Sequence, residues 1–342
     1  MSTISLCMIV KNEEAVLERC LNSVCDLVDE IIIVDTGSTD DTKKIAKKYT
    51  HHIFDFQWNY DFSAARNFSF QKATMDYIYV ADADEVINEE NRKKFADLKK
   101  ALLPEIEIVQ MIYCNQLSYN TTYNFDEEYR PKLYKRQRMF TWEDPIHESV
   151  SLTPVVYDSD IRIQHLPLCN HSKRDFDAFQ RLLKNGMDLS KKLHHMYARE
   201  LYITGTEKDF LQAEPYFKKA AGDVKRSIEE VKEAACILSR AARLKKDVNQ
   251  LLKYACKELA SEPSSEICFE LGEYYYDDKD YEEAAIWYYN AAYEAASILN
   301  IHYSGRLPLE RLAACYQIMG NEEQAERYEK LAQEWTPMGG DI

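Results

Sequence analysis

The 342-residue sequence lacks most of the features that assign a protein to a class on their own. No stretch reaches 18 apolar residues, so no transmembrane helix and no stable membrane insertion are expected. The opening residues Met1-Ser2-Thr3-Ile4-Ser5-Leu6 hold no basic region followed by a long apolar one, so no secretory signal is expected. The nine cysteines are odd in number and form no Cys-x-x-Cys pair, and Cys20 and Cys25 have no second pair to complete a zinc knuckle. They read as small buried apolar residues of a cytoplasmic, reduced protein. There is no Gly-x-Gly-x-x-Gly and no Gly-Lys-Ser/Thr loop, which counts against a dinucleotide dehydrogenase or a P-loop enzyme. Positive charge is in deficit: 43 Lys and Arg against 58 Asp and Glu leave a net charge of −15, a poor basis for binding nucleic acid or anionic membrane through bulk charge. His51-His52 and His194-His195 are adjacent pairs; sequence neighbours diverge on a helix or strand, so both pairs are expected on the surface rather than at a metal.

What is present is a globular composition, 46% hydrophobic and 30% charged, at a length that suggests two domains or one domain with a long extension. The first half alternates. Strands are expected at Thr3 to Val10, Glu30 to Val34, His52 to Phe56 and Tyr77 to Glu85. Helices are expected from Val16 to Val24, from the Ser38-Thr39-Asp40 turn to Tyr49, and from Asp61 onward. Strand, helix, strand in this order is the pattern of a doubly wound parallel sheet, whose ligands collect at the carboxyl ends of the strands. Every polar cluster so far lies at such an end: Asn12-Glu13, Asp35 to Asp40, Asp61 to Asn67, and Asp82 to Glu85. Asp82 and Asp84 lie in the fourth strand on this reading and therefore share a face. Two neighbouring carboxylates repel unless a cation lies between them, and a hard divalent metal shared with phosphate oxygens suits that place. The plainer alternative is a solvated acidic loop before a helix. Beyond Glu85, a helix is expected over Asn88 to Leu103 and strands over Ile106 to Tyr113, Tyr129 to Tyr134 and Ile161 to His165. An acid and histidine cluster, Trp142-Glu143-Asp144-Pro145-Ile146-His147-Glu148, lies between the last two.

Four blocks in order resemble family 2 glycosyltransferases of the GT-A fold. They are Cys7-Met8-Ile9-Val10-Lys11-Asn12-Glu13-Glu14; Asp29 through Asp35-Thr36-Gly37-Ser38-Thr39-Asp40-Asp41-Thr42; Trp58 with Asp61-Phe62-Ser63-Ala64-Ala65-Arg66-Asn67; and Asp82-Ala83-Asp84-Glu85. The resemblance covers roughly residues 3–170 and implies a Rossmann-like catalytic domain over 1–172. It further implies that Val10, Asn12, Glu13 and Asp35 hold the uracil and ribose of a UDP-sugar, and that Asp61, Arg66 and Asn67 lie near diphosphate and sugar. Asp82 and Asp84 would hold Mg2+ or Mn2+ on the diphosphate, with His147 completing the metal shell; Asp84 and His147 are the expected direct contacts. The implied reaction inverts the anomeric carbon, with Glu143, Asp144 or Glu148 as base candidates and Glu85 a weaker one. A family 2 domain followed by helical repeats is similar to bacterial enzymes that glycosylate peptides and proteins, including sublancin-type S-glycosyltransferases, some of which dimerise through the helical part. The implied acceptor is therefore Cys, Ser or Thr of a peptide or protein. Two alternatives stand beside it: a lipid-linked or lipopolysaccharide core sugar as acceptor, reached through a basic patch at Arg130, Lys132, Lys135, Arg136 and Arg138, and a non-catalytic repeat scaffold with a vestigial nucleotide fold.

Residues 173–342 read as an all-α, tetratricopeptide-like repeat domain. Leu271-Gly272, Tyr275, Ala284, Tyr288 and Ala291 fit the repeat spacing. Leu238-Ser239 to Pro263 fit it less well, and Leu312-Ala313 to Pro337 fit again after a longer loop around Ser304 to Pro308. Tyr197 to Ala221 resembles a further unit with an insertion near Thr206. Three to four helical hairpins are expected, with a face able to grip a peptide acceptor or mediate dimerisation.

Overall fold

The computed structural model describes residues 2–115, 127–150, 155–168, 172–259 and 262–336. Two compact units divide the chain, Met1–His171 and Ser172–Ile342.

Among the described residues, the first unit is built on one sheet of eight strands in the order β3-β2-β1-β4-β7-β6-β8-β5. β1 (Ile4–Val10), β2 (Glu30–Asp35), β3 (Ile53–Asp55) and β4 (Tyr77–Val80) are mutually parallel, and Val10 at the end of β1 faces Asp35 at the end of β2. The runs of Ile, Leu, Val and Tyr in β1, β2 and β4 are largely buried on both faces, as strands covered by helices on each side require, while the edge strand β3 is half-buried to exposed. The covering helices are α1 (Leu17–Val24), α2 (Thr42–Ala46), α3 (Phe62–Lys72) and α4 (Glu89–Ala101).

The other half of the sheet is mixed. β7 (Glu128–Lys135) runs antiparallel to both β4 and β6 (Ile108–Cys114), β8 (Val156–His165) is parallel to β6, and the short β5 (Glu85–Val86) is antiparallel to β8. The doubly wound expectation holds where crossover helices separate the strands and gives way where they do not. β4 ends at Val80, so Asp82 and Asp84 are not strand residues; they occupy the turn between β4 and β5. Strand alternation therefore does not put their carboxylates side by side.

In the second unit, α5 (Ser172–Lys184) precedes four helical hairpins: α6 (Lys191–Thr204) with α7 (Glu207–Ala220), α8 (Ile228–Leu244) with α9 (Val248–Leu259), α10 (Ser265–Asp277) with α11 (Tyr281–Tyr289), and α12 (Arg306–Ile318) with α13 (Glu322–Glu334). Thr206 is not an insertion; its hydroxyl caps α7 reciprocally with Asp209 at the turn of the first hairpin. Gly272 lets α10 and α11 meet closely, since a Cβ there would stand 2.7 Å from the Tyr288 ring. His194 departs from expectation. It is fully buried, its Nδ1 2.8 Å from the Tyr216 hydroxyl and its Nε2 3.0 Å from the Glu230 carbonyl. Adjacent helical residues point to different faces, and one of this pair points inward; His195 stays partly exposed beside Glu233. No helix among the described residues is long and apolar enough to cross a membrane. Among the described residues, Cys7, Cys20, Cys114, Cys236, Cys268 and Cys315 are free and buried, Cys25 is half-buried and Cys256 is exposed.

Candidate active site at the strand ends

The ends of β1 and β2 are tied together by their loops. Asn12 adopts a left-handed φ of +55°, a conformation Asn tolerates well, and its Oδ1 accepts the Thr39 amide at 2.8 Å while its own amide donates to Ser38 Oγ at 2.9 Å. The Glu13 amide donates to Thr42 Oγ1, and the Glu14 carboxylate accepts the Asp41 amide. Gly37 turns the β2 loop at φ +109°, open only to glycine without strain. Asp35 is 1% exposed; its Oδ1 accepts the Gly37 and Ser38 amides and lies 3.6 Å from Lys43 Nζ. Its Oδ2 is buried and has no hydrogen-bond partner among the described residues. Such an oxygen is costly unless a donor arrives, and a ligand hydroxyl is a donor.

Asp61 caps α3, its Oδ1 accepting the Ala64 amide at 2.9 Å and the Ser63 hydroxyl at 2.7 Å. The cap aims α3 so that Arg66 and Asn67 face the segment 142–148. Asn67 spends both ends of its amide on the Trp142 backbone, donating to the carbonyl and accepting from the N–H. The Phe62 amide donates to the Pro145 carbonyl. Arg66 bridges two acids: Nε to Glu148 Oε1 at 2.5 Å and Nη2 to Asp82 Oδ1 at 2.9 Å, with its guanidinium 5.0 Å from the Trp142 ring centre. Burial opposes charge on Arg66, but the two carboxylates outweigh it and raise its pKa further. Burial likewise opposes ionisation of Asp82, yet Arg66 and then Lys132 hold its carboxyl well below the usual range. Asp82 is thus a carboxylate whose charge is already answered by the protein, with 41% of its side chain exposed.

Asp84 has a different neighbour from the one expected. Its Oδ2 lies 3.3 Å from Nε2 of His165, at the end of β8, where Glu85 pairs with His165 across the sheet. Its Oδ1 is buried with no hydrogen-bond partner among the described residues. Glu85 is 2% exposed and accepts from Lys132 Nζ at 2.5 Å; burial raises its pKa and Lys132 only partly offsets that. Among the described residues, no group of three or more His, Cys, Asp and Glu side chains is gathered so as to hold a metal. Asp82, Asp84 and His147 therefore do not form a ready three-ligand cluster. The orphan Oδ1 of Asp84 does fit a hard cation that takes most of its shell from phosphate and water.

Asp144 and His147 hold positive φ angles of +68° and +50°, uncommon for residues with a side chain, though Asp and His enter this region more readily than most. Between them the segment turns back on itself, Glu143 bridging to Ser149. Glu143 is exposed and Asp144 half-buried, while Glu148 is committed to Arg66. Lys132 and His165 join the candidate site although the sequence did not single them out for this place, and Trp142, noted only as part of the 142–148 cluster, packs its ring against Arg66. The signal for His165 was its position at a strand end; for Lys132 it was an inward position on β7, masked by the basic residues around it.

Residues 5–152 match the family model for glycosyl transferase family 2. The SPbeta prophage-derived glycosyltransferase SunS of Bacillus subtilis is 28% identical over 241 residues, covering 66% of this chain and 54% of that protein. A TPR repeat-containing protein of Synechococcus elongatus is 52% identical over 85 residues, covering 25% of this chain and 21% of that protein. The chain spans about half or less of the length of these curated relatives. Among solved structures, glucosyl-3-phosphoglycerate synthase of Mycobacterium tuberculosis with Mg2+ and UDP is similar at a TM-score of 0.40 and 16% identity, covering 55% of this chain and 81% of that one; this likeness is too slight to inform the chemistry here.

Proposed function

We propose, from the premise that residues 5–152 are a family 2 glycosyl transferase domain, that the chain transfers a sugar from a UDP-sugar to a Cys, Ser or Thr side chain of a peptide or protein, with inversion and with Mg2+ or Mn2+. The observation that carries the donor site is the pair of buried carboxylate oxygens without a hydrogen-bond partner among the described residues, Asp35 Oδ2 at the end of β2 and Asp84 Oδ1 in the turn after β4, on the two strands that flank β1. The first suits a ribose hydroxyl and the second a divalent cation. Val10, Asn12 and Glu13 line the same end and frame the nucleoside. When bound, the metal would neutralise charge developing on the departing diphosphate.

The chain's own residues do the rest. Arg66 is a fixed positive fork that holds Asp82 and Glu148 in place and offsets part of the negative charge that an incoming diphosphate would meet. Glu148 orients Arg66 through the 2.5 Å contact and is thereby a poor choice for the base. Glu143 and Asp144 stand as the base candidates, Asp144 on the left-handed turn near His147. A thiol acceptor is already partly ionised near neutral pH and needs less help from either. The similarity to a relative named a glycosyltransferase supports the transfer reaction; the peptide acceptor rests on the pairing of this domain with helical repeats.

The test is Asp84→Ala. It is expected to abolish both sugar transfer and donor hydrolysis with the circular dichroism spectrum intact, and to lose the heat of UDP binding that depends on Mn2+. Undiminished turnover by that variant, with EDTA present, overturns the reading.

A further inference from the structure

The segment 142–148 carries the base candidates Glu143 and Asp144 and lies outside the named strands. One bridge closes it into a loop: the Glu143 amide donates to the Ser149 carbonyl at 2.9 Å, and the Ser149 amide to the Glu143 carbonyl at 3.1 Å. Trp142 and Ile146 are buried, and buried peptide groups need partners. α3 holds this loop at three places. The Asn67 side chain donates from Nδ2 to the Trp142 carbonyl at 3.0 Å and accepts the Trp142 amide on Oδ1 at 2.8 Å. The Phe62 amide donates to the Pro145 carbonyl at 2.9 Å. Arg66 Nε meets Glu148 Oε1 at 2.5 Å.

Of these three, Asn67 holds the limb that leads into the base candidates. Trp142 directly precedes Glu143, and Asp144 follows next. A side-chain amide has a donating and an accepting end, as a peptide group does, so Asn67 serves Trp142 as a neighbouring strand would. The indole is held by the same helix: its ring lies 5.0 Å from the Arg66 guanidinium and 5.8 Å from the Phe70 ring. Main chain and side chain of Trp142 are therefore both fixed to α3. Both ends of the Asn67 amide are committed to Trp142, so a donor contact would compete with bonds the fold already makes.

We propose that Asn67 is a positioning residue for the catalytic base, acting through Trp142, and not a contact to the diphosphate or sugar of the donor. The inference rests on sugar transfer by this site and deepens it. In the step it serves, the acceptor oxygen or sulfur bonds to the anomeric carbon as that carbon's bond to the diphosphate oxygen breaks. UDP leaves with the bonding pair, and the acceptor's proton passes to Glu143 or Asp144. A base displaced by about 1 Å loses a factor on the order of 10² in rate.

The test compares Asn67→Ala with the unaltered full chain. Turnover is followed as UDP release into water, with Mn2+, from UDP-glucose, UDP-galactose, UDP-N-acetylglucosamine and UDP-N-acetylgalactosamine. The variant is expected to lose at least about tenfold in kcat while its calorimetric Kd for UDP with Mn2+ stays within about twofold. Its Trp142 amide is expected to exchange at least about tenfold faster, with the amides of β1 unchanged. Asn67→Asp keeps the oxygen that accepts the Trp142 amide and removes only the donor; the same split between kcat and Kd is expected of it, and it decides if the alanine variant does not fold. An affinity for UDP that falls in step with turnover makes Asn67 a donor contact and overturns the proposal, as does a kcat that stays unchanged. If the unaltered chain turns over none of these donors, sugar transfer itself fails and this inference fails with it. Equal turnover by the unaltered chain and the variants removes this inference alone.

Discussion

Arg66 is the residue on which the candidate site depends most heavily. Its guanidinium is buried, and it serves Asp82, Glu148 and the Trp142 face at once. Lysine offers a single charge on a flexible stem and cannot reproduce the fork. Arg66→Met is expected to cost about 3 kcal/mol or more in urea denaturation, because Glu148 is left buried and uncompensated. Adding Glu148→Gln to Arg66→Met is expected to recover part of that loss, and a strictly additive pair would mean that the contact contributes little. The same reasoning separates the two strand-end acids. Asp82 comes to a ligand already neutralised, whereas Asp84 comes with an orphan oxygen, so Asp84→Asn is expected to weaken Mn2+-dependent UDP binding more than Asp82→Asn does. Calorimetry on the two variants is the check, and equal losses would contradict this division of roles.

At the scale of elements, α3 connects stability to chemistry, and its N-cap allows the two to be separated. Asp61→Ala removes the cap and is expected to lower stability by about 1 kcal/mol, while Asp61→Asn, which keeps an accepting oxygen, is expected to lose only a few tenths. If the Asn variant melts like the unaltered chain but loses donor affinity, Asp61 also touches the donor. If it keeps affinity, the cap is its whole role. The legibility of the sequence divides along similar lines. β1 to β4 and the turns after them could be read because an apolar run ending in polar residues is a local signal. The start of α3 at Asp61 could be read for the same reason, while its capping role emerges only from the structure. Asp84 beside His165 could not, since it depends on β5 pairing with β8 some 80 positions away in the chain, a matter of register rather than composition. The strand assigned to Asp82 and Asp84 failed because four buried residues complete β4 and the acids fall in the turn. The longer loop expected around Ser304 to Pro308 lies earlier, over 290–305, with α12 already begun at Arg306; its partners, from Tyr202 to Phe269, belong to other hairpins, so no local signal marked its bounds.

At the scale of the whole molecule, charge is what distinguishes the remaining readings. The basic residues that suggested a membrane-facing patch are engaged within the protein: Lys132 with buried Glu85, Arg130 with Glu128, Arg138 with Glu107, Arg136 with the Met75 carbonyl and Lys135 with the Pro104 carbonyl. With a net charge of −15, the chain is expected to remain unbound in flotation with anionic vesicles at low salt, and clear binding would restore the lipid acceptor. Buried acid also makes stability depend on pH. Glu258 is 3% exposed and packed near Glu266, Ser264, Cys236 and Lys232; burial pushes its carboxyl up from 4.5 to about 7, against the pull of the Ser264 hydroxyl. Between those values the unfolded chain has released a proton that the folded chain keeps. Stability therefore falls as pH rises from 4.5 through about 7, the reverse of the usual carboxylate effect, and this contribution is absent below the window. Glu258→Gln has no proton to lose. Its urea midpoint, followed by circular dichroism, is expected to run close to that of the unaltered chain near pH 4 and to exceed it increasingly toward pH 8. Parallel midpoints across that range would show that Glu258 titrates alike in the folded and unfolded chain, and that burial there is relieved by water.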